Sequence, residues 1–245
     1  MYKILASCIV IFLSHSSFAQ SSWAKQYVLD LSGPSDLGSV KQYDPSLIQN
    51  HVSKNTIYLT YKEVDGSAFW KDDWQKAYMY TQAGNIVLLE KAKMNLFSGE
   101  LHYIAADGSE LVTETTAVSK VVFMQKKDSS KVDAVFAVLA NYVDNKPAAY
   151  FKVFNSGNYQ LILLEQRKVK TSPYDPIQGK IVSSFYAINH FAIYNNGKIT
   201  PLKDLDKATI LNMLPSNGTY ESWLKEHKNK LKNESDAIAF LQYVN

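Results

Sequence analysis

At 245 residues, with 26 Lys and Arg against 23 Asp and Glu, the chain carries a formal net charge of +3. That is too close to neutral to select nucleic acid or an acidic surface as its partner. Tyrosine is abundant (16) and glycine modest (10), a balance that suits a strand-rich globular protein and argues against disorder, in one large β domain or two small ones.

The chain opens on Met1-Tyr2-Lys3, an apolar run over residues 4–13, then Ser14-His15-Ser16-Ser17-Phe18-Ala19. One positive charge, a short apolar run and small residues at positions −3 and −1 (Ser17, Ala19) predict a secretory signal peptide, residues 1–19, cleaved between Ala19 and Gln20. The run is shorter than the roughly twenty apolar residues a membrane-spanning helix needs, and no later stretch approaches that length. Leu5-Ala6-Ser7-Cys8 has the local pattern of a lipoprotein cleavage site. A lipoprotein signal places its apolar region before the cysteine, however, and here the run continues past it. Cleavage after Ala19 removes Cys8, the single cysteine, so stability must come from core burial alone.

Residues 20–55 read as an entry segment, broken at Gly33-Pro34-Ser35 and Asp44-Pro45-Ser46, with one short strand over 26–31. An antiparallel β domain over 56–203 follows. Residues 56–62 (TIYLTYK) are β-branched and aromatic, a strand signal, and Asp65-Gly66 turns it. Residues 76–124 predict a β-meander: short apolar or alternating runs are punctuated by Ala83-Gly84-Asn85, Ser98-Gly99 and Asp107-Gly108, residues that accept the positive φ of tight hairpins. Between 91 and 96, Lys91, Lys93 and Asn95 alternate with Ala92, Met94 and Leu96, giving one wet and one buried face. Residues 134–143 are apolar on both faces, which predicts a central strand, with a buried helix as the alternative. A second hairpin turns at Ser156-Gly157-Asn158, residues 168–179 with Pro173 and Pro176 read as a loop, and a third hairpin turns at Asn196-Gly197.

The period then changes. Over 204–214, Leu205, Ala208, Leu211, Met213 and Leu214 form an amphipathic helix stopped by Pro215 and Gly218. Thr219 is the expected N-cap of a second helix, whose stripe is Tyr220, Trp223, Leu224, His227 and Leu231; Lys225–Lys232 supply its solvated face. Asn233 caps a third, with Ala237, Ile238, Leu241 and Val244 inward. The fold class expected is α+β, mainly β: a twisted antiparallel sheet of hairpins covered by a C-terminal helical subdomain, 204–245.

Four stretches, AKMNLFSGELHYI (92–104), AYFKVFNSGNYQLIL (149–163), HFAIYNNGKITPLK (190–203) and the closing YESWLKEHKNKLKNESDAIAFLQYVN (220–245), together resemble a family of exported proteins widespread in Bacteroidota. The likeness spans most of residues 20–245. It implies compartment and architecture, and no chemistry.

No catalytic constellation stands out. His51, His102, His190 and His227 lack the H-E-x-x-H spacing of zinc hydrolases, G-x-S-x-G is absent, and Asp72-Asp73 and Asp204 with Asp206 are acids adjacent in sequence rather than a spaced pair across a cleft. A lone His at an alternating strand position (His102) or on a helix stripe (His227) is more often packed than ligating. No metal or cofactor is expected. Phe69, Trp70 and Trp74, with Tyr150, Tyr159 and Tyr186, offer either core filling or an aromatic binding surface. The preferred reading is a non-catalytic exported envelope protein, periplasmic or secreted, acting as an interaction or structural module. It would engage an envelope protein through an aromatic surface or sheet edge and would bind no nucleic acid. The alternatives are a periplasmic β protein holding a small apolar ligand in a cavity, and a hydrolase with an unfamiliar site. Protein isolated from its native cell is expected to begin at Gln20; N-terminal mass spectrometry checks this, and a lipid on Cys8 would overturn it.

Overall fold

The computed structural model describes residues 28–29, 40–42, 48–52, 55–59, 61–113, 115–143, 148–172 and 182–245, with side chains from Tyr61 onward, Lys62 excepted. The expected leader 1–19, Cys8, and the breakers at Pro34, Pro45, Pro173 and Pro176 lie outside these residues.

The short strands β1 (Val28–Leu29) and β2 (Val40–Gln42) come first, then β3 (Ile48–Val52) and β4 (Asn55–Leu59), which pair only with each other. The rest of the sheet follows as β5 (Val64–Asp65), β6 (Gln75–Thr81), β7 (Ile86–Asn95), β8 (Glu100–Ile104), β9 (Glu110–Thr113), β10 (Val118–Met124), β11 (Val132–Leu139), β12 (Ala149–Val153), β13 (Gln160–Thr171), β14 (Ser183–Asn195) and β15 (Lys198–Pro201). Three helices close the chain: α1 (Lys207–Asn212), α2 (Thr219–Glu226) and α3 (Glu234–Val244). The α+β, mainly β class is therefore what forms, as an open, largely antiparallel sheet with short helices after it. Its order is β15-β14-β13-β12-β11-β10-β6-β7-β8-β9-β2, with β1 parallel on β7 and β5 parallel on β14. Among the described residues no helix is long and apolar enough to cross a membrane.

The glycine turns fall where expected. Gly84, Gly99 and Gly108 take φ of 86°, 73° and 86°, and they join β6 to β9 as a meander. The meander stops there, one strand short of the predicted stretch. β10 does not continue beside β9; it returns across the sheet to pair with β6, setting Val121 opposite Met79 and Phe123 opposite Ala77. Alternation in a sequence fixes which face a side chain takes, not which strand it meets. The inward face of this arrangement buries Ala77, Met79, Val87, Leu89, Met94, Leu101, Val121, Phe123 and Phe136 in one cluster. Trp70 joins it, with ring centroids 5.6 Å from Phe123 and 5.3 Å from Phe136. β11 is the central strand of the two alternatives, held between β10 and β12.

Two other boundaries are corrected. Lys168–Thr171, expected in a loop, extends β13, because these residues find ladder partners in Ser183–Tyr186 of a β14 that begins well before the third hairpin. The wet face expected of Lys91, Lys93 and Asn95 also fails at its end, since Asn95 is fully buried.

α1 and α2 are shorter than their stripes, while α3 contains its own. Asp206 caps α1 by accepting from Thr209 N at 3.0 Å, and Asn233 caps α3 by accepting from Asp236 N at 2.9 Å. Thr219 lies inside α2 rather than capping it; Asn217 Oδ1 accepts its N–H at 3.0 Å instead. α2 ends at Glu226, and Leu231 reaches the core from a loop in which Lys228 and Leu231 take φ of 51° and 49°. Tyr220, Leu224, Leu231, Phe240 and Leu241 pack on Leu161 and Ile193, one face of β13 and β14. Ile162, Leu164 and Ala192, on the alternate positions of these strands, cluster separately with Phe151 of β12. Burying each Leu or Phe stabilises by about 1.5–3 kcal/mol, which is what holds helices too short to persist alone.

The helical end is also tied to the β12–β13 turn through Asn245. Its Oδ1 accepts from Tyr159 N at 2.8 Å, and its Nδ2 faces the carbonyls of Ser156 and Tyr159, both at 3.0 Å. Gly157 lies beneath at φ 112°, where a Cβ would come within 2.3 Å of Asn245 Cγ. Gly157→Ala is therefore expected to destabilise by about 1–3 kcal/mol for the strained φ alone, and by more through displacement of Asn245. Asn245 Cβ would itself lie 2.6 Å from the new methyl, so in a double-mutant cycle with Asn245→Gly the displacement part disappears and the strain part remains; urea unfolding of the four proteins measures both.

Candidate functional site

The histidines and acids singled out in the sequence do not converge. Asp72 and Asp73 are exposed in the bend before β6, where Asp72 accepts from Ser67 Oγ and Asp73 pairs with Lys126 at 2.9 Å. The lysine holds the Asp73 carboxyl below its usual range. Asp206 serves α1 as its cap. His190 lies on β14. His227 follows α2, stacked 4.2 Å from the Trp223 ring. His51 falls on β3, whose side chains are not described. Among the described residues no group of three or more His, Cys, Asp or Glu is placed to hold a metal ion. The aromatics divide too: Trp70 and Tyr150 are core residues, Trp74 is covered by Lys93 with Nζ 4.6 Å from its centroid, and Tyr186 is exposed.

His102 does have an acid beside it. Its Nδ1 is 2.8 Å from Glu110 Oε1 and its Nε2 3.2 Å from Asn95 Nδ2. A carboxylate can only accept and an amide nitrogen can only donate, so Nδ1 carries the proton and Nε2 accepts. Asn95 spends its second amide hydrogen on Tyr61 Oη at 2.9 Å, while its Oδ1 accepts from the N–H groups of Phe97 and Ser98 at 3.0 and 3.1 Å. Burial drives the His102 pKa down against the opposing pull of Glu110, which matches a neutral ring. Phe69 meets the ring edge-on at 5.2 Å and stacks on Tyr61 at 6.3 Å, and Tyr61 packs in turn with Phe97 and Phe185 at centroid distances of 5.5–6.2 Å from one another. Both ring nitrogens are occupied and the side chain is fully buried, so this geometry fixes the β7–β8 turn rather than activating a nucleophile. Sequence reasoning missed Asn95, Tyr61 and Glu110. The usable signal was an Asn three residues before the Ser98-Gly99 turn, where its side chain captures backbone N–H groups two and three residues on.

A second feature lies on the sheet's margin. β14 is longer than the two strands on its outer side: β5 pairs only with Ser183 and Ser184, and β15 only from Ala192 onward. The Phe191 carbonyl accepts from Leu202 N at 2.8 Å, which sets that residue's backbone toward the outer edge. By the two-residue period the N–H and C=O of Ala187 and Asn189 point the same way, into a gap where no described strand lies. Ala187 and Asn189 are exposed, as is Tyr186 at 38%. Lys168, directly across from Tyr186 in the ladder, is exposed on the same face, with Lys170 two positions along.

No protein-family model, curated protein or solved structure matches the chain.

The His102 network has a pH signature. An unfolded His titrates near 6.5, and the folded one below that, so the network's contribution to stability is complete above about pH 6.5 and is lost as pH falls toward the folded value. His102→Gln is expected to lower unfolding free energy at pH 8 by about 1–3 kcal/mol, the cost of breaking a buried hydrogen-bonded group. The gap to the unsubstituted protein should narrow on acidification; denaturant unfolding at pH 8, 6.5 and 5 checks both the size and the sign.

Proposed function

We propose that this chain is an exported, non-catalytic envelope protein that acts as an interaction module, receiving a short extended segment of a partner protein at the open middle of β14. The observation that carries the reading is the outer edge of Ala187 and Asn189, which no strand among the described residues pairs. Unpaired ladder groups in mid-strand are a template for strand addition, and folded proteins ordinarily cover or blunt them. Between Ser184, the last residue paired with β5, and Phe191, whose carbonyl takes Leu202 N, lie residues 185–190, a gap of roughly 20 Å. A second copy of this chain does not fit there: antiparallel pairing of two β14 strands would drive each β5 into the other copy's β15. Lys168 and Lys170 beside Tyr186 favour an apolar segment carrying acidic residues. Export rests on the leader at 1–19. The side chains filling the sheet's concave face, Trp70, Phe123 and Phe136 among them, leave the apolar-ligand reading with less support, and the occupied nitrogens of His102 do the same for the hydrolase reading.

Proline tests it directly. At Ala187 or Asn189 the N–H points outward, so Pro removes a docking donor without costing an internal ladder bond. Hydrogen exchange is expected to show protection gained at residues 185–190 when native envelope extract is added to the unsubstituted protein. Ala187→Pro and Asn189→Pro should lose that protection while keeping their melting temperature. Equal protection in the proline variants would remove β14 as the docking edge.

A further inference from the structure

Four buried hydroxyls among the described residues have no hydrogen-bond partner: Ser98 Oγ, Tyr103 Oη, Thr113 Oγ1 and Tyr150 Oη. Two of their residues, Ser98 and Tyr150, line the same cavity of about 100 Å³, between the β7–β8 turn, the start of β12 and the middle of β13. Native interiors rarely leave such groups unmet; where they do, solvent or a ligand commonly supplies the missing bond.

The lining says what could enter. Met94, Leu96, Ala149 and Leu164 make part of the wall apolar. Asn95, also on the wall, has both amide hydrogens and its oxygen committed to Tyr61, His102, Phe97 and Ser98. Glu165 faces the cavity but is paired with Arg167 at 2.8 Å, so its charge is already answered. Tyr150 is 5% exposed, and burial, with the Glu100 charge adding to it, pushes its phenol far above the usual tyrosine range. It is a neutral hydroxyl at any physiological pH. Thr115, Asn141 and Gln166 add polar side chains to the wall, and the two unmet hydroxyls, each able to donate and accept, stand beside its apolar part with no free charge. An ion would find no counter-charge, and a purely apolar guest would leave both hydroxyls unmet.

We infer that this cavity is a binding site for a small neutral hydroxylic molecule of polyol size, its oxygens bridging Tyr150 Oη and Ser98 Oγ. The space corresponds to about three water molecules, so a guest of about four non-hydrogen atoms fits and displaces resident solvent. The site is separate from the β14 edge and stands whether or not a partner docks there.

The probe is 1,2-ethanediol. Polyols stabilise any protein weakly and without saturation by exclusion from its surface; a site adds a saturable rise in melting temperature on top. The unsubstituted protein is expected to show the saturable component, and Tyr150→Phe and Ser98→Ala only the linear one. Without probe, Tyr150→Phe should melt about 3 °C lower, because a bridging oxygen loses its partner. A crystal structure with the probe should place its oxygens within hydrogen-bond distance of both hydroxyls. Three outcomes overturn the inference: a purely linear response shared by all three proteins, a Tyr150→Phe variant that melts higher, as removing a truly orphaned hydroxyl would produce, or a cavity whose resident waters the probe leaves in place.

Discussion

Leu96 is where three distant parts of the chain are joined through one residue's backbone. Its N–H donates to the Ala68 carbonyl at 2.8 Å and its carbonyl accepts from Arg167 N at 3.0 Å. Next to it Trp70 N donates to the Met94 carbonyl at 2.9 Å, and Phe69 bridges Asn95. The end of β7 thus binds the segment before β6 on one hand and the second half of β13 on the other. Besides the Arg167 bond, the β13–β14 ribbon is tied in through β5 on β14 and through β12, which pairs with β13 at Lys152 and Val153 and adds Phe154 N to the Leu161 carbonyl. Everything that follows from the sheet's curl depends on this corner: the filled concave core, the cavity beneath Ser98, and the ribbon that carries the open edge.

The corner depends in turn on Asn95. Its side chain holds the two N–H groups that follow Leu96 and ties them to His102, Glu110 and Tyr61, so the turn after β7 cannot rotate without breaking a buried network. Removing any one member leaves its neighbours as buried unpaired groups, which costs more than the lost bond itself. The same device recurs at the β12–β13 turn. Asn155 Oδ1 accepts from Leu161 N at 2.7 Å, Asn195 Nδ2 donates to the Asn158 carbonyl at 2.9 Å, and Asn245 reaches the same loop from α3. An asparagine side chain carries one donor end and one acceptor end like a peptide unit, so it continues a ladder where the backbone has turned away. In a chain whose described residues contain no cysteine, these amides act as the local fasteners.

Local features of the fold were legible and non-local ones were not. Gly84, Gly99, Gly108 and Gly197 declared their turns because φ > 0 excludes most other residues there. The cap at Asn233 and the 3.6-residue stripes declared the helices, whereas the cap at Asp206 was not read from the sequence. The return of β10 to β6 was invisible, since Val118, Val121 and Phe123 alternate in the same way whichever strand they join. Asn95 looked wet because the alternation around it is regular; it is buried because residues 61–70 fold across that face, a fact no local pattern carries. Pro173 and Pro176 suggested a loop from Lys168 onward, yet Lys168–Thr171 stay extended because Ser183–Tyr186 offer them a ladder. The open edge at Ala187 and Asn189 is a mismatch among the lengths of β5, β14 and β15. It becomes visible only when all three are paired.

That mismatch also bears on where recognition can occur in a fold of this kind. The concave face is packed with large aromatic side chains and holds its shape through them, so admitting a sizeable ligand there would mean dismantling the core. The helical face of the ribbon is closed by Leu224, Phe240 and Leu241, and the opposite face by Phe151, Ile162 and Leu164. The outer backbone of β14, by contrast, can accept a partner without moving any buried group, because β13 alone already satisfies the strand's inward hydrogen bonds. An edge of four unpaired groups gains little affinity from backbone bonds alone, each worth about 1 kcal/mol net. Selectivity must then come from side chains that flank it, and on this ribbon those are Tyr186 and the two exposed lysines. Under the proposed reading, a partner would be recognised by its extended backbone first and by an apolar-acidic pattern second.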